Sequence, residues 1–164
     1  MTASFDPLRA LRAFLTRGVR FILIGGVAAR AWGSPTITND LDICYERSAV
    51  NCASLAEALR ELQATLRGAP EGLPFQLDAA SIRMGDSFTF ETTAGALDCL
   101  GTPAGTTGFE DLLRNASEVR LDGDVLVYIC SLDDLLRMKR AADRPKDRIE
   151  VEILSAVKEE LERS

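Results

Sequence analysis

The chain has 164 residues, enough to bury a core and short of what two independent domains use; its 46% hydrophobic and 27% charged residues exclude the disordered, collagenous and membrane-embedded classes. A net charge of −6 weighs against coating by nucleic acid through bulk electrostatics, and the absence of histidine excludes every mechanism that needs an imidazole base. No apolar run approaches the roughly 20 residues of a membrane span, and the N-terminal residues do not read as a signal peptide, so a cytoplasmic protein is expected.

Asp6-Pro7 suits an N-cap followed by proline, and Leu8, Leu11, Phe14 and Leu15 recur at helical spacing, which predicts a helix over about 6–17. The run VRFILI reads as a buried strand that ends at Gly25-Gly26. A brief helix follows and stops at Gly33-Ser34-Pro35, and LDICYE reads as a second strand. Leu55, Leu59, Leu62 and Leu66 predict an amphipathic helix over about 53–67, with a loop over 68–74. Gly85-Asp86 is expected to turn a hairpin between two short alternating runs, before a further apolar run that ends in Asp98. Thr107 is read as the cap of a short helix with Glu110 three residues on, and Asp122-Gly123 as the turn of a second hairpin. Two helices close the chain, one capped by Ser131 and one after Pro145. Cys44, Cys52, Cys99 and Cys130 lack any C-x-x-C pairing and are read as reduced, mostly buried thiols. Strands and helices mix without a regular βαβ rhythm, so the expected class is α+β with a mixed sheet.

Asp40 and Asp42 stand two apart at the start of a strand, where period-2 alternation puts both side chains on one face. Like charges held that close in a cleft call for a divalent cation, and magnesium favours carboxylates together with substrate phosphates. Gly25-Gly26 lies where a strand passes into a helix, so the backbone can approach a bound group and offer free N–H donors. Asp-x-Asp alone, or Gly-Gly alone, reads as a strand edge or a turn. The order strand, Gly-Gly, short helix, Asp-x-Asp within 18 residues is far more specific.

The pattern Ile24-Gly25-Gly26, 13 residues, Asp40-Leu41-Asp42-Ile43 resembles the signature of the nucleotidyltransferase superfamily. From Val19 to about Leu154, through LDCLGTPAG and SLDDLLRMKRAADRPKD, the chain is similar to the AbiEii/AbiGii-type bacterial nucleotidyltransferases, some of which are toxins of toxin-antitoxin pairs. The resemblance implies one nucleotidyltransferase-like (polymerase-beta-like) domain over 1–164, a mixed β-sheet flanked by helices. It implies that Gly25 and Gly26 hold nucleotide phosphates, that Asp40 and Asp42 bind Mg²⁺ or Mn²⁺, and that a neighbouring strand supplies a third carboxylate. Asp98 matches that third position best, with Asp78 and Glu91 as weaker substitutes. Lys139 and Lys146 are candidates for the triphosphate, and Ser34, Thr36 and Thr38 for nucleotide contacts or for turn roles; Arg140 and Arg144 read as solvated helix residues, and Trp32 as core.

The implied activity is Mg-dependent transfer of a nucleoside monophosphate from an NTP to a hydroxyl acceptor. RNA, particularly tRNA, follows from the toxin-like relatives, as does an antitoxin partner; a protein side chain or a small molecule such as an aminoglycoside is the other acceptor class. The rival reading is a protein of the same fold that only binds nucleotide or a partner protein. A dinucleotide site is disfavoured, because the glycines are adjacent and the acids open the second strand instead of closing it.

Overall fold

The computed structural model describes residues 3–69 and 75–164, so most of the loop read over 68–74 lies outside the described residues. Seven strands form one sheet in the order β3-β4-β5-β2-β1-β7-β6. The central strands are β1 (Phe21–Ile24) and β2 (Asp40–Tyr45), which run antiparallel; β2 pairs in parallel with β5 (Gly95–Leu100), and β1 in parallel with β7 (Val125–Ile129). Antiparallel partners complete the two sides: β4 (Ser87–Thr92) and β3 (Thr65–Leu66) beyond β5, and β6 (Ser117–Asp122) beyond β7. This mixed sheet with flanking helices is the α+β class expected.

Every residue of β1 is buried, as a central strand covered on both faces requires. Helix α1 (Pro7–Thr16) packs on α3 (Ala49–Glu61) and β7, while α2 (Gly25–Trp32) packs on β1, β2 and α6 (Leu132–Ala142). The last helix, α7 (Pro145–Arg163), packs on α6. Side-chain caps fix the helix starts as read: Asp6 accepts from the Arg9 N–H and Ser131 from the Asp134 N–H. All four cysteines are free and buried.

Three local readings are corrected. The leucine spacing suggests a helix as far as Arg67, but α3 ends at Glu61, Gln63 adopts φ 52°, and Leu66 lies in the edge strand β3. Leu66 still packs against the core, because the spacing records burial and not backbone conformation. Gly85-Asp86 turns no hairpin: residues before it form helix α4 (Ala79–Met84), capped by Asp78, and the hairpin is β4–β5 with Thr93 and Ala94 between the strands. Thr107 does not cap α5 (Phe109–Leu113); Gly108 holds that position and the Thr107 N–H donates to the Asp111 carboxylate at 3.0 Å.

Buried Asn51 ties α3 to the central strands. Its Oδ1 accepts from the Arg20 N–H at 2.7 Å, and its Nδ2 donates to the carbonyls of Arg20 at 2.9 Å and Glu46 at 2.6 Å. Asn51→Ala strands the Arg20 N–H and the Glu46 carbonyl, while the Arg20 carbonyl keeps the Glu46 N–H at 3.2 Å, so we expect a loss of about 2–3 kcal/mol in denaturant unfolding. A control Asn→Ala exchange at the exposed Asn115 costs under about 0.5 kcal/mol.

Candidate active site

The sheet register assembles three carboxylates. Asp42 stands directly opposite Asp98 in the parallel β2–β5 pair, and Asp40 lies two residues earlier on the same face. Their neighbours Leu41, Ile43, Leu97 and Cys99 point the other way into the core, each at most 1% exposed. Asp40, Asp42 and Asp98 therefore converge, with one oxygen from each lying within 4.8 Å of the others. Hard oxygen donors from three carboxylates at that spacing fit a divalent cation such as magnesium or manganese.

Gly25 and Gly26 make this arrangement possible by packing. Gly25 adopts φ 68°, and a Cβ there would collide with the Asp42 carboxylate. A Cβ on Gly26 would come within 2.6 Å of Thr38 Oγ1, which donates to the Asp40 carbonyl at 3.1 Å. The start of α2 thus lies against the carboxylate strand, and no side chain caps it.

A cleft of about 270 Å³ opens beside the carboxylates. Asp42, Asp98 and Gly25 form one end, Lys139 and Arg144 supply positive charge, and Leu135, Met138, Pro103 and Ala104 give an apolar wall. Asp147 organises the basic side. It is fully buried and accepts from Arg144 Nε at 2.6 Å, Arg144 Nη2 at 3.2 Å, the Arg144 N–H at 3.1 Å and Lys139 Nζ at 3.5 Å. Burial works to raise its pKa, but these hydrogen bonds and the neighbouring charges outweigh it and hold the carboxyl below its usual range.

The remaining predicted residues fall as follows. Lys139 lines the cleft; Lys146 is exposed at the start of α7, with its charge felt at Asp98. Ser34 is buried, and its Oγ accepts from the Thr36 N–H, so both shape the loop, as Thr38 does. Asp78 caps α4 and Glu91 pairs with Arg67, so neither belongs to the triad. Trp32 donates to the Cys130 carbonyl at 2.9 Å and packs against the core. Sequence reasoning missed Arg144 and Asp147 in the cleft, although Asp147 three residues after Arg144 carries a capping-box signal.

Burial, then the charges of Asp98 and Asp40, push Asp42 from its ordinary 3.8 up to about 7. Burial raises Asp98 as well, against its hydrogen bond with Asp42 and the charge of Arg67. Asp42 thus binds more proton in the folded than in the unfolded state between about pH 4 and pH 7, and its contribution to stability falls as pH rises through that window.

No family model matches the chain, and no curated protein matches it in sequence. Solved structures do match. The lincomycin-bound lincosamide antibiotic adenylyltransferase LnuA superposes with a TM-score of 0.61 at 14% identity, covering 94% of this chain and 99% of LnuA. ANT(2'')-Ia in complex with adenylyl-2''-tobramycin gives 0.58 at 16% identity, with 95% and 88% covered. TM1012 of Thermotoga maritima, described as a nucleotidyltransferase, gives 0.51 at 14%, with 99% and 98% covered. The chain has the nucleotidyltransferase fold.

Two outcomes test the site. In metal-free protein at pH 7.5, Asp42→Asn raises the melting temperature, by about 3 °C for each kcal/mol of repulsion relieved, and Mn²⁺ stabilises the unsubstituted protein but not the variant. Gly25→Ala, which places a methyl against Asp42 at a left-handed φ, costs about 2 kcal/mol or more in the same thermal scan.

Proposed function

We propose that the protein is a divalent-metal-dependent nucleotidyltransferase that moves a nucleoside monophosphate from an NTP to the hydroxyl of a small molecule. The observation that carries this reading is the triad of Asp40, Asp42 and Asp98 beside a cleft that Lys139 and Arg144 also line. Bound at those three carboxylates, Mg²⁺ or Mn²⁺ would acidify the acceptor hydroxyl and offset the charge of the leaving pyrophosphate.

The chain's own groups do the rest. Lys139 and Arg144, fixed by Asp147, receive the triphosphate as preset positive charge. The uncapped start of α2 at Gly25 and Gly26 offers backbone N–H donors to its oxygens. Leu135, Met138, Pro103 and Ala104 give the nucleoside an apolar wall that excludes water. Asp98 takes up the proton of the acceptor hydroxyl as its oxygen bonds to the α-phosphorus, and the bond to pyrophosphate breaks.

A small acceptor is supported by the named acceptors of the structural neighbours, a lincosamide and tobramycin. The net charge of −6 is a poor match for polyanionic RNA. RNA transfer, with a toxin role and an antitoxin partner, is the competing arm of the test.

Purified protein is incubated with each α-labelled NTP, Mg²⁺ or Mn²⁺, and in turn hydroxylated small molecules, total RNA and protein acceptors. We expect label on a small molecule, a loss of about 10³-fold or more in Asp42→Asn and Asp98→Asn, and a roughly 10-fold higher KM for NTP in Lys139→Ala. Label on RNA alone would overturn the acceptor class and favour the toxin reading. NTP binding without transfer to any acceptor would overturn catalysis and leave a nucleotide-binding protein.

A further inference from the structure

Where the leucine pattern predicts continued helix, the chain instead turns at Gln63 and lays the two-residue strand β3 along β4. Just past β3 stands Arg67, whose N–H donates to the Thr89 carbonyl at 2.9 Å. Its guanidinium spreads over three acceptors: Nε pairs with Glu91 Oε1 at 3.0 Å, and Nη2 donates to the Phe90 carbonyl at 3.2 Å and to Asp98 Oδ1 at 3.4 Å. Among the described residues, Arg67 is the one basic side chain in hydrogen-bond contact with a triad carboxylate.

Two further cations line the cleft, Lys139 on α6 and Arg144 at the start of α7, and Asp147 engages both. Thr89 is directly opposite Asp98 in the β4–β5 pair, so Arg67 and Glu91 reach the triad from the β3–β4 side of the sheet, while Thr89 and Asp98 themselves line the cleft with Lys139 and Arg144. Arg67 thus touches Asp98 without lining the cleft that Lys139 and Arg144 line.

We propose that Arg67, anchored by Glu91 and the Phe90 carbonyl, is a positioning residue that fixes the orientation of Asp98 for transfer and competes with a divalent cation for its carboxylate. The inference rests on the proposed transfer reaction for its kinetic half and on the ion pair alone for its binding half. A planar guanidinium with two further acceptors locks the carboxylate rotor, which a flexible ammonium does not do. The same positive charge opposes binding of a cation at the shared carboxylate.

The opposed effects separate this role from a merely structural one. Mn²⁺ affinity is measured by electron paramagnetic resonance without nucleotide, alongside kcat and the KM for NTP, in Arg67→Ala, Arg67→Lys and Glu91→Gln. In Arg67→Ala we expect Mn²⁺ to bind several-fold tighter while kcat falls about 10- to 100-fold and the KM for NTP stays within about twofold. Arg67→Lys restores the original Mn²⁺ affinity but not kcat, and Glu91→Gln lowers kcat by a smaller factor. Joint weakening of Mn²⁺ binding and kcat with a lowered melting temperature would mean that Arg67 only supports the fold, and would overturn the proposal. So would a kcat within twofold of the unsubstituted protein. If the unsubstituted protein transfers nothing, tighter Mn²⁺ binding in Arg67→Ala still supports the competition, and unchanged binding overturns it.

Discussion

Three carboxylates held within 4.8 Å of one another repel, and the strand register leaves them little freedom to part. Asp42 and Asp98 face each other across a parallel pair whose opposite faces, Leu41, Ile43, Leu97 and Cys99, are locked in the core. Sliding β2 against β5 by one residue to separate the charges would turn those apolar side chains out to water. The core therefore enforces the repulsion. Burial first, and this repulsion after it, raises the proton affinity of Asp42, and a divalent cation is the natural relief.

The surroundings fit that constraint. Gly25 and Gly26 remove the two Cβ atoms that would keep the start of α2 away from Asp42 and Thr38. The short corner at Asp143 and Arg144 brings α6 and α7 together, so that buried Asp147 holds Lys139 and Arg144 in the lining of the cleft that Asp42 and Asp98 share. Acidic and basic walls are thus each fixed by packing before any ligand arrives, which is the preorganisation that phosphate transfer chemistry depends on.

The sequence was most informative where one residue type has a single structural use. Asp-x-Asp opening an apolar strand, Gly-Gly closing another, and Asp6-Pro7 and Ser131 at helix starts all lie where the pattern puts them. Asp98 was legible as an acid on an apolar run, the family resemblance joined it to Asp40 and Asp42, and the β2–β5 register supplies the physical means, setting it opposite Asp42 across 56 residues of chain. The misreadings share one cause. Leu66 is partly buried against the core on strand spacing that coincides with a helical step, and the run at Ser81–Met84 alternates like a strand yet folds as helix α4. Periodicity reports which side chains face the core and leaves the backbone to be settled by neighbours. Arg144 was read as solvated, and Arg67 and Asp147 were not singled out, for the related reason that a charged residue looks solvated until its partner and its burial are known.

The most direct test of the central claim is anomalous diffraction at the manganese edge from crystals grown with Mn²⁺ and a non-hydrolysable NTP analogue. Manganese density is expected bounded by Asp40, Asp42 and Asp98, with the analogue's phosphates reaching toward Lys139 and Arg144. Ordered nucleotide without manganese at the three carboxylates, or nucleotide bound elsewhere on the molecule, would contradict it.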